Sequence, residues 1–125
     1  MPRPHLLLVD DDPAVRSSIA FALGTEGFDV HAFANAEAAL ACERLDDMAC
    51  LLLDHRLPGV DGLGLLAQLR AGAIASPAIV ITSNPSRRLR QRVEEAGATL
   101  IEKPLLGNVL ALAIRTALAL EGDRE

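Results

Sequence analysis

The sequence contains no tryptophan and no tyrosine, and only 2% of it is aromatic. That scarcity removes the stacking platforms on which single-stranded nucleic-acid binding depends. Cysteine is nearly absent too: Cys42 and Cys50 are too few for a disulfide framework. Cys50 opens an apolar run and reads as a small buried hydrophobe, while Cys42 falls in a helical pattern. No apolar run approaches the roughly 18 residues of a membrane-spanning helix, so no membrane partner is expected. Positive charge is in deficit, with 12 basic against 17 acidic residues and a net charge of −5. Such a balance disfavours neutralising phosphates, and direct nucleic-acid contact is not expected. Met1 to Val9 holds one arginine and a very short apolar run before three acids, which is no signal peptide; a cytoplasmic protein is expected.

What is present is a chain of 125 residues, half of them hydrophobic. That is the length of one domain, 1–125, able to bury about two-thirds of the surface it exposes when unfolded. Disorder is excluded by the same composition. Apolar runs alternate with amphipathic segments, without linker or repeat. Leu6 to Val9 reads as a strand, followed by Asp12 as N-cap and Pro13 at the first helical position. Phe28 to Phe33 is a second strand, and Asn35 caps a helix through about Leu45. Cys50 to Leu53 is a third strand; Gly59, Asp61 and Gly62 then break the chain before a helix carrying Leu63, Leu66 and Leu69. Ala78 to Ile81 is a fourth strand, and Ser86 caps a helix with Leu89, Val93 and Ala96 that stops at Gly97. Thr99 begins a fifth strand, which ends at Pro104 before a last helix from Val109 to Leu118. Continuously apolar strands alternating with helices imply an α/β fold, with a parallel sheet covered on both faces. Ligands in such sheets sit beyond the carboxyl ends of the strands.

Chemistry gathers at those ends. The first strand runs into Asp10-Asp11-Asp12, the third into Asp54, the fourth into Thr82-Ser83 and the fifth into Lys103-Pro104. Asp12 reads as the helix cap. Clustered carboxylates repel unless a cation joins them, and Mg²⁺ favours a few carboxylate oxygens. A carboxylate nucleophile with Mg²⁺, an ammonium and a hydroxyl makes a phosphoryl-transfer site.

These segments resemble the response-regulator receiver domain of bacterial two-component systems. The residues that carry the resemblance are Leu7 to Asp12, Asp54 to Gly62, Ile81-Thr82-Ser83 and Glu102-Lys103-Pro104, within a match from about Leu6 to Leu120. The resemblance implies a doubly wound, flavodoxin-like (βα)5 fold with strand order 2-1-3-4-5. It implies that Asp54 accepts a phosphoryl group from a sensor histidine kinase or phosphotransfer protein. Asp10, Asp11, Asp54 and the backbone carbonyl of Arg56 would hold Mg²⁺. Lys103 would pair with the acyl phosphate, Thr82 would hydrogen-bond it, and the Lys103-Pro104 peptide would be cis. Arg56 and Asn84 would tune the phosphate's lifetime, and the domain would catalyse its own phosphorylation and slow dephosphorylation without being a conventional turnover enzyme. A downstream target or a second copy would bind the face of the fourth helix, fifth strand and fifth helix.

One departure concerns the switch, which in this family pairs Thr82's position with a Tyr or Phe three residues before the lysine. Here that place is Leu100, and the stretch from Gly97 to Lys103 is one residue shorter. Leucine can change rotamer but cannot swing a phenol inward. Two other readings stand beside the phosphorylated switch: a degenerate receiver that binds constitutively, and a haloacid-dehalogenase-like phosphatase. The arginines at 87, 88, 90 and 92 read as a solvated helix face, or else as a basic partner surface. His55 could assist proton transfer, although nothing requires it; His5 and His31 carry no constellation. The Met1 start and the tail from Gly122 to Glu125 lean towards a stand-alone regulator with no effector domain.

Overall fold

The computed structural model describes residues 3–105 and 107–123. The strands are β1 (His5–Val9), β2 (Asp29–Phe33), β3 (Met48–Asp54), β4 (Ala78–Thr82) and β5 (Thr99–Glu102). They alternate with α1 (Pro13–Thr25), α2 (Ala36–Leu40), α3 (Gly62–Ala71), α4 (Arg87–Glu95) and α5 (Val109–Asp123). All strand pairs are parallel, in the order β2-β1-β3-β4-β5. Arg124 and Glu125, half of the tail discussed above, lie outside the described residues, as does Met1.

Strand periodicity divides the core in two. Leu7, Val9, Leu51, Leu53 and Val80 point to one face and pack under α2, α3 and α4. Their neighbours Leu6, Leu8, Leu52, Ile79 and Ile81 point to the other and pack under α1 and α5. Burial on both faces explains why β1, β3 and β4 are continuously apolar, each such leucine contributing about 1.5–3 kcal/mol. The helices are anchored unequally. α3 buries Leu63, Leu65, Leu66 and Leu69, whereas α4 buries only Leu89 and Val93. Two apolar side chains one turn apart hold α4 less firmly than four leucines hold α3.

The caps follow the sequence. Asp12 accepts from the Ala14 and Val15 amides, Asn35 from Ala38 and Ser86 from Leu89. Two expectations are corrected. The helix after Asn35 ends at Leu40, and Leu45–Asp47 is instead a separate 3₁₀ turn. Cys42 therefore lies past the helix, where its Sγ accepts from the Arg44 amide at 3.4 Å. The chain must turn there to start β3 at Met48, and the Arg44–Asp47 ion pair spans that turn. His5 and His31 also do have a constellation: the parallel register aligns His5 with Asp29, and His31 lies one same-face step further along β2. Cys50 is buried, and burial pushes its thiol up to about 12, so it stays protonated and inert.

Candidate phosphoryl-transfer site

Register builds the site at the carboxyl ends of the strands. The β1–β3 pairing aligns Val9 with Leu53, which leaves Asp10 and Asp54 side by side one residue on. Both are buried, at 2% and 5% exposure, while Asp11 is exposed. Carboxylate oxygens of Asp10, Asp11 and Asp54 all lie within 4.8 Å of one another. The β4–β5 pairing aligns Thr82 with Glu102, and the Lys103 amide donates to the Thr82 carbonyl at 2.7 Å. Lys103, the only lysine in the chain, thus projects over the acids. Its Nζ is 3.5 Å from Asp54 Oδ1 and 3.9 Å from Asp10 Oδ2. The Lys103–Pro104 peptide is cis. Asp10, Asp11, Asp12, Asp54, Thr82 and Lys103 line, with Arg56 and Ser83, a space of about 270 Å³.

Asp12 lines this space but spends one carboxylate oxygen on the α1 cap. Asp10 accepts from the Asp12 amide at 3.0 Å, which fixes its carboxylate at the turn. Thr82 is buried, and its hydroxyl donates to the Ser83 carbonyl at 3.3 Å. Asn84 adopts φ 46°, is exposed, and faces a second space of about 500 Å³ beside the first. His55, Arg56, Arg88 and Arg92 line that space as well. His55 lines this second space and not the acidic one, and its Nδ1 is buried without a partner among the described residues. Arg90 pairs with Glu102 across the α4–β5 seam at 3.0 Å, and all four arginines of α4 are exposed. A larger cleft of about 870 Å³ between α1 and α5 borders Lys103 but is mostly apolar and, among the described residues, gathers no acid beyond Glu26.

Two supporting contacts escaped the sequence reading. Arg16 donates through Nη1 to the Asp10 carbonyl at 2.8 Å, holding the β1–α1 turn. Gly62 packs against the backbone that carries Asp54: a Cβ there would sit 2.7 Å from the Asp54 carbonyl oxygen. Its amide donates to the His55 carbonyl at 3.0 Å. In sequence Gly62 reads as a break before the helix and as the end of a segment that carries the resemblance; this contact depends on how the loop closes.

The electrostatics are strained on purpose. Burial is the largest influence on the Asp54 carboxyl and raises its pKa, and repulsion from Asp10 raises it further. Lys103 and the Arg56 amide pull it down without cancelling the rise from 3.8. The native carboxyl therefore keeps a proton at pH values where the unfolded one has lost it. Stability falls as pH rises through that window, and the penalty is then constant above it. In EDTA, Asp54→Asn should be more stable than wild type at neutral pH, with the gap closing on acidification. Urea unfolding across pH measures this; a variant no more stable at neutral pH contradicts the assignment.

A cation relieves the same repulsion. The donors are all hard oxygens on two adjacent strand ends, which fits Mg²⁺ and not a softer ion. Comparison with known proteins agrees with the geometry. The profile of the response regulator receiver domain matches residues 6–115. The transcriptional regulatory protein FixJ of Bradyrhizobium diazoefficiens is 32% identical over 115 residues, 91% of this chain and 56% of that protein. FixJ of Rhizobium meliloti is 38% identical over 88% of this chain and 54% of its own length. The chain thus spans about half the length of these relatives. A response regulator receiver domain protein (CheY-like) from Methanospirillum hungatei superposes with a TM-score of 0.89 at 27% identity, covering 99% of this chain and all of that one.

Proposed function

The chain belongs to the response regulator receiver domain family, and from that premise we propose that Asp54 is its phosphoacceptor. It is a module of two-component signalling and not a metabolic enzyme, and its family partners with histidine kinases or phosphotransfer proteins. The observation that carries the reading is Lys103 Nζ lying 3.5 Å from a buried Asp54 carboxylate that shares its pocket with Asp10 and Asp11. Neither the constitutive binder nor the haloacid-dehalogenase reading is favoured by these relatives.

Asp54 attacks phosphorus in line. Its oxygen forms the O–P bond as the P–N bond to the donor imidazole breaks, and the electron pair leaves with nitrogen. Lys103 holds positive charge against the incoming phosphoryl oxygens, and Thr82 turns its hydroxyl from the Ser83 carbonyl to donate to them. Asp10, Asp11, Asp54 and the Arg56 carbonyl would hold Mg²⁺, which when bound neutralises charge on the transferred group. Arg56, at the mouth of the pocket, and Asn84, in the adjoining space, govern how water reaches the acyl phosphate.

The signal leaves through Thr82 and α4. Movement of Thr82 pulls the β4–α4 loop, and α4 has only two buried side chains to hold it back. The exposed Arg90–Glu102 pair adds no more than about 1 kcal/mol of resistance. Leu100 is half-buried in the cluster that holds Leu89 and Val93, so it rides with α4 and does not act as a separate rotor. The face of α4, β5 and α5 then meets a downstream protein or a second copy. Among the described residues, no helix is long and apolar enough to cross a membrane.

Acetyl phosphate with Mg²⁺, followed by intact mass, tests the assignment. Wild type should gain one phosphoryl group, and Asp54→Asn should gain none; an equal gain in both overturns it.

A further inference from the structure

The amino-terminal end of the sheet carries a second cluster, far along the strands from Asp54. His5 begins β1, and Asp29 and His31 lie on the same face of β2. His5 Nδ1 is 3.0 Å from His31 Nε2 and 3.3 Å from Asp29 Oδ2; His31 Nε2 is 4.0 Å from Asp29 Oδ1. We propose that His5, Asp29 and His31 form a binding site for a divalent transition-metal ion of the zinc class.

The spacing is the first argument. A tetrahedral ion with donors about 2.0–2.1 Å away needs those donors roughly 3.3 Å from one another. The observed separations bracket that figure. The donor set is the second. Two imidazoles and a carboxylate suit zinc-class ions, whereas Mg²⁺ takes oxygen ligands and goes to the acidic pocket at the other end. The scaffold is the third. All three donors stand on paired strands, which hold a site better than loops do. Both rings are mostly buried, with side chains 27% and 22% exposed, so their positions are set by packing.

Three protein donors leave a fourth position for water or an outside ligand. The ion would bridge β1 to β2, the edge strand of the sheet. One neighbour opposes it. Arg44 Nη2 lies 3.4 Å from His5 Nε2. A guanidinium only donates, so this contact asks for a bare Nε2 and leaves the proton of a neutral ring on Nδ1. Metal on Nδ1 needs the reverse tautomer, with the proton moved to Nε2 and Arg44 turned aside.

The test is a Zn²⁺ titration of the full chain in excess Mg²⁺, by calorimetry and by ¹⁵N signals of the three imidazoles. The expected result is one Zn²⁺ per chain at this site, with the His5 and His31 rings shifted and His55 unmoved. His31→Gln and the exposed Asp29→Asn should each weaken binding at least about tenfold. Arg44→Ala should tighten it several-fold, and Asp54→Asn should leave it unchanged. Circular dichroism checks that each variant folds, and Asp29→Asn alone decides the matter should His31→Gln not fold. No uptake, uptake indifferent to Asp29→Asn, or uptake lost with Asp54→Asn overturns the proposal.

Discussion

Lys103→Gln should phosphorylate from acetyl phosphate about 100- to 1000-fold more slowly than wild type while binding Mg²⁺ more tightly. The two effects have opposite signs because one ammonium does two things. In the proposed phosphoryl transfer it would sit where negative charge gathers, 3.5 Å from the Asp54 carboxylate. At an effective dielectric constant of 20, unit charges about 4 Å apart interact by about 4 kcal/mol, enough for a loss of that size. In the resting protein the same ammonium would compete with a cation for Asp10 and Asp54. Removing it also leaves two buried carboxylates without their counter-charge. The variant should therefore lose stability near neutral pH, by up to about 3 kcal/mol, and recover it on acidification. Quench-flow with intact mass reads the rate. Calorimetry reads the metal, since a chain without tryptophan or tyrosine offers no fluorescence signal from those residues. A rate within a few-fold of wild type, or weaker Mg²⁺ binding, would show that Lys103 is not the counter-charge of this pocket.

Gly62→Ala should damage stability and chemistry together, although it adds a single methyl group on the far side of the β3–α3 loop. The new Cβ would meet the Asp54 carbonyl oxygen at 2.7 Å and the His55 Cα at 3.0 Å. Both are backbone atoms, so no side chain can turn away. Either α3 backs off, loosening Leu63, Leu65 and Leu66 from the core, or the end of β3 moves. Overpacking of this kind costs about 1–3 kcal/mol, against which alanine's better helix propensity returns at most about 1. A displacement of the nucleophile by about 1 Å costs about 100-fold in rate. Urea unfolding and the acetyl phosphate rate should both fall, and Gly62→Ser should behave likewise. A variant with wild-type rate and stability would mean that this contact does not position Asp54.

Reading the sequence succeeded where one residue's environment decides the outcome. The strands were legible because residues such as Leu51 to Leu53 are buried on both faces and leave no polar alternation. Asp12, Asn35 and Ser86 were legible as caps because a short polar side chain ahead of an apolar period does little else. The acidic pocket was legible because Asp10, Asp54, Thr82 and Lys103 each end a strand or directly follow one, and parallel strands bring such positions to one rim. Contacts that depend on register or loop closure were not legible. His5 and His31 are separated by 26 residues, and only the β1–β2 register makes them neighbours. Gly62 needs the turn from Asp54 to close before its missing side chain has meaning. The helix after Asn35 was drawn too long because Cys42 and Leu45 keep an apolar spacing, while the need to enter β3 at Met48 ends it at Leu40. The Arg90–Glu102 ion pair was not legible because its partners lie on different elements.

On this proposal one aspartate, and no other carboxylate, takes the phosphoryl group. Borohydride reduces an aspartyl phosphate to homoserine, which peptide mapping locates. After acetyl phosphate and Mg²⁺, homoserine should appear at position 54 alone, and in EDTA nowhere. Homoserine at Asp10, Asp11 or Asp61, or at no position in a folded protein with Mg²⁺ bound, would contradict the account.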